Sequence, residues 1–237
     1  MKKGKLYLIP CPIAENAGET IPAYVVETLQ RLDHFIAERA KTARHFIKST
    51  DPIKPFSDLY FSELNKRTTP EERAGFLEPA LKGHDMGLLS EAGCPGVADP
   101  GALIVEMAHQ KGIEVVPMVG PSSILLALMA SGMSGQQFAF RGYLAPKPAE
   151  LAKDLKRLEG LSSKEQQTQI FIETPYRNKA MIEQALKSLH PDTRFCVAVD
   201  LTGPKAYIKS LRIKDWKTER LPEVHKRPAI FLLYAGR

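Results

Sequence analysis

The sequence predicts an α/β protein built in two parts. Three observations carry this: short apolar segments alternating with helix-period segments in the first half, a glycine-rich loop at the end of one such segment, and apolar segments that follow one another with fewer helices in the second half. With 237 residues, 43% of them hydrophobic and 25% charged, the chain has the composition of a globular protein and the length for one or two domains.

Lys5–Ile9 reads as a short strand ended by Pro10 and Pro12. Ile21, Tyr24, Val25, Thr28, Leu29 and Leu32 recur at helical spacing, which predicts a helix over Glu19–Leu32 with Pro22 in its first turn. Phe35–Ala37 is a second strand leading into Glu38, and Lys41–Lys48 a basic helix. A possible strand covers Leu59–Phe61. Thr69-Pro70-Glu71-Glu72 opens a helix expected to run to Leu81 and close at Gly83. Met86–Leu89 is a third strand, Ala102–Gln110 a helix and Ile113–Pro117 a fourth strand. This rhythm argues for a largely parallel sheet, with a domain over residues 1–117.

Residues 118–237 form the second expected domain. Helices are expected over Ile124–Ala130, Glu150–Leu161 and Asn178–Leu189. Strands are expected over Phe138–Tyr143, Gln169–Glu173, Thr193–Asp200, Ala206–Ile213 and Ala229–Tyr234. Consecutive strands with few helices between them predict a mixed, more antiparallel sheet.

The formal charge is +6, and the excess is clustered. Arg39–Lys54 holds five Lys/Arg against one acid, and Lys205–Arg227 eight against three. Clusters of this kind suit a polyanion, although two solvated faces of an ordinary protein read the same way. Cys11, Cys94 and Cys196 are odd in number and far apart, and the six histidines are scattered, so neither disulfides nor a metal site is expected. No apolar run reaches the roughly 18 residues of a membrane helix, and the start breaks at two prolines; the expectation is a cytoplasmic protein.

The most informative stretch is Ser90-Glu91-Ala92-Gly93-Cys94-Pro95-Gly96-Val97-Ala98-Asp99-Pro100-Gly101. Three glycines and two prolines at a strand's carboxyl end let backbone approach a ligand closely, where an ordinary βα turn is the alternative. In Val119-Gly120-Pro121-Ser122-Ser123-Ile124 the paired serines either cap a helix or hydrogen-bond a ribose or carboxylate. Neither a P-loop nor a dinucleotide-type GxGxxG follows the first strand.

With these loops, the chain resembles the tetrapyrrole-methylase superfamily of S-adenosylmethionine-dependent (class III) methyltransferases, and within it the ribosomal RNA small-subunit methyltransferase branch. The resemblance runs through Leu8–Ile13, Ala37-Glu38, Ser62–Asn65, the Ser90–Gly101 loop, Val116–Ser123, Ser131-Gly132, Gly142–Lys147 and Phe171–Arg177. There are departures. Arg39-Ala40-Lys41 replaces the branch's Asp-Thr-Arg, Ala14-Glu15-Asn16 stands where Gly-Asn is usual, Tyr176 replaces a histidine, and the chain stops at Arg237 without the extension many members carry.

The resemblance implies two α/β domains of the tetrapyrrole-methylase type with the donor bound in the cleft between them, in a homodimer. By motif position Pro10, Gly93, Cys94, Val97, Ser122 and Ser123 would line the donor pocket, with Ile172, Thr174, Pro228 and Ala229 closing it, mostly through backbone. Cys94 stands where many members have an aspartate. Glu38, Glu63 and Glu91 are candidate bases for a hydroxyl acceptor, with Asn65 orienting; Glu38 ranks first because it follows a buried strand beside the basic segment. The expected acceptor is the 2′-hydroxyl of a ribosomal RNA nucleotide. A tetrapyrrole or other small molecule, or a non-catalytic donor-binding module, are the alternatives.

Overall fold

The computed structural model describes residues 2–236, which divide into two compact units, 2–122 and 123–236. Unit 1 is a five-stranded sheet. Its strands are β1 (Lys5–Ile9), β2 (His34–Ala37), β3 (Tyr60–Glu63), β4 (Met86–Leu89) and β5 (Glu114–Pro117), in the order β3-β2-β4-β1-β5, every pair parallel. The central β4 is buried along its whole length, as a parallel strand covered on both faces requires. Helices α1 (Ala23–Arg31), α2 (Ala40–Ser49), α3 (Pro70–Ala74), α4 (Glu78–Leu81) and α5 (Gly101–Gln110) connect the strands.

Two helices differ from the sequence expectation. Glu19–Leu32 is not one helix: a 3-10 turn covers Gly18–Thr20 and α1 starts only at Ala23. Pro22 caps it in extended backbone, φ −60°, ψ 145°, and Ile21 before a proline is held out of the helical region as well. Thr69–Leu81 is two short helices. Thr69 and Glu72 do form a reciprocal capping box, but α3 closes at Gly75 and α4 restarts with Pro79 in its first turn.

Unit 2 contains α6 (Ser123–Ser131), β6 (Phe138–Tyr143), α7 (Pro148–Glu165), β7 (Thr168–Ile172), α8 (Asn178–Ser188), β8 (Arg194–Val199), β9 (Tyr207–Arg212), α9 (Ile213–Trp216) and β10 (Ala229–Tyr234). The strand order is β6-β7-β10-β8-β9; β6 and β7 are parallel and the other pairs antiparallel. The mixed sheet therefore forms as its sequence pattern predicts. β10 is buried at all six positions, and Phe171, Phe195 and Phe231 stack across β7, β8 and β10 over Trp216, whose Nε1 donates to the Phe195 carbonyl at 2.7 Å. Aromatic stacking of this kind adds to the area buried and fixes the packing of the sheet face.

Candidate active site

In unit 1 three loops leave the carboxyl ends of the parallel strands and meet. Cys11, just past β1, exchanges two backbone hydrogen bonds with Gly93, just past β4, both 2.9 Å. The Cys94 thiol points at the Pro121 carbonyl, 3.5 Å away. Gly120 lies so close to Pro10 that a Cβ there would sit 2.2 Å from the proline Cγ, so no other residue fits without displacing one loop. Pro10, Gly93, Cys94 and the segment leading to Ser122 are thus brought together by backbone geometry.

The Ser90–Gly101 loop is held in shape by its own polar groups. The buried Ser90 hydroxyl donates to the Gly93 carbonyl at 2.8 Å. Gly93 has φ +74°, a conformation open to glycine at little cost. Ala98 adopts φ +61° although it carries a Cβ, a strain of order 1 kcal/mol that structures keep mainly at ligand-binding turns. One oxygen of Asp99 accepts the amides of both Gly96 and Gly101, at 2.8 and 2.7 Å. Sequence reasoning missed this role for Asp99; the Asp-Pro-Gly run that ends the loop was its signal. Val97 is half exposed on the outer turn.

The candidate bases stand on the same sheet edge, with different fates. Glu63 ends β3 opposite Ala37 and its carboxylate accepts the Ala40 amide at 2.8 Å, anchoring the start of α2. The side-chain oxygen of Asn65 accepts the Arg67 amide at 2.9 Å, closing a local turn. Glu91 accepts the Thr42 hydroxyl at 3.1 Å. Glu38, just past β2, receives no hydrogen bond among the described residues. Burial pushes its carboxyl above the usual carboxylate range, and the neighbouring charges of Glu91 and Asp99 push the same way against Arg39 and Lys66. Three carboxylates gathered at one sheet edge favour a cationic ligand, which fits the sulfonium of S-adenosylmethionine, and the tight, backbone-lined loop beside them fits a group held through main-chain contacts.

In unit 2 the expected residues gather at one end of the sheet. Ile172, the last residue of β7, pairs with Ile230, because β10 runs antiparallel and starts where β7 ends. Thr174 lies in the turn after β7, and its amide donates to the buried Glu173, which also accepts two hydrogen bonds from Arg177 at 3.0 and 2.6 Å. Pro228, whose carbonyl accepts the Asp200 amide at 3.0 Å, and Ala229 open β10 at that same end. Ser123 is the first residue of α6.

Two sheet-and-helix units, the first carrying a backbone-lined loop at its strand ends, define a two-unit α/β protein with a candidate ligand site on unit 1. The crystal structure of the methyltransferase CobJ has this fold, with a TM-score of 0.64 at 20% identity, covering 98% of this chain and 94% of that one. So does the cobalt precorrin-4 methyltransferase CbiF, with a TM-score of 0.59 at 16% identity, covering 97% and 94%. The chain belongs to the Tetrapyrrole (Corrin/Porphyrin) Methylases, whose family model matches residues 5–215. Its curated relatives include proteins named ribosomal RNA small subunit methyltransferase I. The one from Leptospira biflexa is 30% identical over 85% of this chain and 79% of its own length. The one from Bacillus subtilis is 32% identical over 88% and 67%.

Proposed function

We propose that this chain transfers a methyl group from S-adenosylmethionine to the 2′-hydroxyl of a nucleotide in small-subunit ribosomal RNA, as a cytoplasmic homodimer. The likeness to small-subunit methyltransferases I at 30–32% identity carries the reading. The uncompensated cations of α2, described below, agree with an RNA acceptor.

S-adenosylmethionine, when bound, supplies a methyl group already activated by its sulfonium. The chain's share is alignment, which can supply about 7–11 kcal/mol of the barrier. In unit 1 the Pro10, Gly93, Cys94 and Gly120–Ser122 backbone forms the rigid part of that donor cradle. Glu38 takes the proton from the acceptor hydroxyl; its raised affinity for protons makes it a stronger base than a surface carboxylate. Glu63 positions the start of α2, and Asn65 shapes the turn after β3.

Incubation with methyl-labelled donor and small-subunit particles from cells lacking this protein tests the proposal. Label recovered as a 2′-O-methylnucleoside after nuclease digestion is the expected result. Label on a base, or none in RNA, overturns it. Light scattering gives the assembly state, expected at about twice 26.3 kDa.

A further inference from the structure

Within unit 1 the loop after β1 and one side of α2 border an open cavity of about 760 Å³. Ile13, Glu15, Thr42, His45, Ser49 and Glu91 are among its walls. The volume lies in the range of small-molecule sites, roughly 300–1,000 Å³. The cavity also lies at the carboxyl ends of β1 and β4, where open α/β sheets bind ligands. It is continuous with the donor loop: Cys11, Ser90 and Ala92 line it, Ala92 precedes Gly93, and Cys11 is hydrogen-bonded to Gly93.

The charges around α2 are sorted. Glu15, Glu19 and Glu91 face the cavity, and Thr42 holds Glu91 against the wall. Such walls repel anions and accept hydrogen bonds, so they suit the part of a ligand that carries no phosphate and is rich in donors, such as ribose hydroxyls and the amino or imino groups of a base. Lys41, Arg44 and Lys48 stand at i, i+3 and i+7, one exposed stripe beside the Thr42, His45 and Ser49 stripe that faces the cavity. Phosphate therefore finds cations on the exposed stripe of α2, whereas the cavity beside it carries Glu15, Glu19 and Glu91 on its other walls. A polymer of neutral, donor-rich units strung on phosphates matches this division.

Resting on the RNA reading above, we propose that this cavity receives the nucleoside to be methylated, drawn out of its stack, while the phosphates flanking it lie along Lys41, Arg44 and Lys48. Enzymes that modify a stacked nucleotide commonly extrude it into such a pocket.

The test fills the cavity from its exposed rim. Wild-type protein and Ser49→Trp are compared for methyl transfer to small-subunit particles, for donor affinity by calorimetry and for particle affinity by filter binding. A nucleoside kept from seating is misplaced for transfer, so Ser49→Trp is expected to lose about 100-fold in kcat/KM, with donor and particle affinities within about threefold of wild type. Full activity in Ser49→Trp, with wild type active, overturns the cavity assignment and leaves the RNA reading standing. Wild type that transfers no methyl to any RNA overturns both. Should Ser49→Trp not fold, Glu91→Gln replaces it: about a tenfold rise in KM is expected from the lost carboxylate contact, and an unchanged KM refutes the site.

Discussion

Two stretches of this chain carry the same kind of positive surplus, and the fold uses them differently. In Lys205–Arg227 half of the eight cations are neutralised: Lys209 pairs with Glu219, Arg212 and Lys214 share Asp192, and Arg227 pairs with Asp200. Arg227 also donates to the Lys205 and Glu223 carbonyls, tying the loop before β10 together. In Arg39–Lys54 only Lys54 has a carboxylate partner among the described residues, Asp33, and Arg44 lies over the Phe61 ring at 4.8 Å. A charge count along the chain treats the two alike. Ion pairing, which depends on residues far away in sequence, makes the first a structural seam and leaves the second an exposed basic surface with little compensation.

The sharpest break in that comparison concerns chemistry. Glu38, adjoining the α2 segment, changed to Gln should lower transfer by about 10²–10⁴-fold with donor affinity unchanged, whereas Glu219→Gln in the other region should leave the rate intact. Single-turnover assays with labelled donor check both. The acidic limb of the wild-type kcat/KM profile should lie above the ordinary carboxylate range, since Glu38 must be ionised to act. The stability effect has the opposite sense. A carboxyl whose folded pKa is raised contributes stability below its unfolded pKa and loses it as pH rises through the folded value. Glu38→Gln should thus melt higher than wild type at pH 7 and lose that advantage near pH 4.

The next effect separates the surfaces directly. Replacing Lys41, Arg44 and Lys48 with Ala should flatten the salt dependence of RNA binding by up to about three units of slope, without changing donor affinity. The matching triple at Lys209, Arg212 and Lys214 should change the slope by less than about one unit, because those charges are already paired. Equal slopes from the two triples would erase the distinction between the two basic stretches.

Arg227→Ala should cost about 2 kcal/mol in urea unfolding, since it strands a carboxylate and two carbonyls of the loop, while the salt slope stays that of wild type. The smallest effect is chemical reactivity. Burial pushes the Cys11 and Cys196 thiols up to about 12, so they should resist a thiol reagent at pH 8. Cys94, half-buried in the Ser90–Gly101 loop, should react first and be shielded by S-adenosylmethionine bound at the proposed donor site; mass spectrometry of labelled peptides decides this.

Much was legible locally. The strands of both sheets follow apolar runs bounded by prolines, glycines and charges. The Ser90–Gly101 loop could be found because glycine and proline constrain backbone wherever they occur. The breaks at Pro22 and Gly75 were misjudged because hydrophobic spacing continues across them while proline geometry and a glycine cap stop the helix. Sequence order could not tell that Glu63 would anchor α2 while Glu38 stayed without a donor, since that depends on β2 and β3 pairing in register at Ala37 and Glu63.

The sequence by itself determined the class of fold, the glycine-rich Ser90–Gly101 loop and the family, because periodicity, turn chemistry and motif order are properties of neighbouring residues. Tertiary structure alone decided which carboxylates are raised, which basic stretch finds ion-pair partners and where a cavity opens beside α2. These are sums over groups tens of residues apart, and electrostatic energy and enclosed volume follow distance in space, with no memory of distance along the chain.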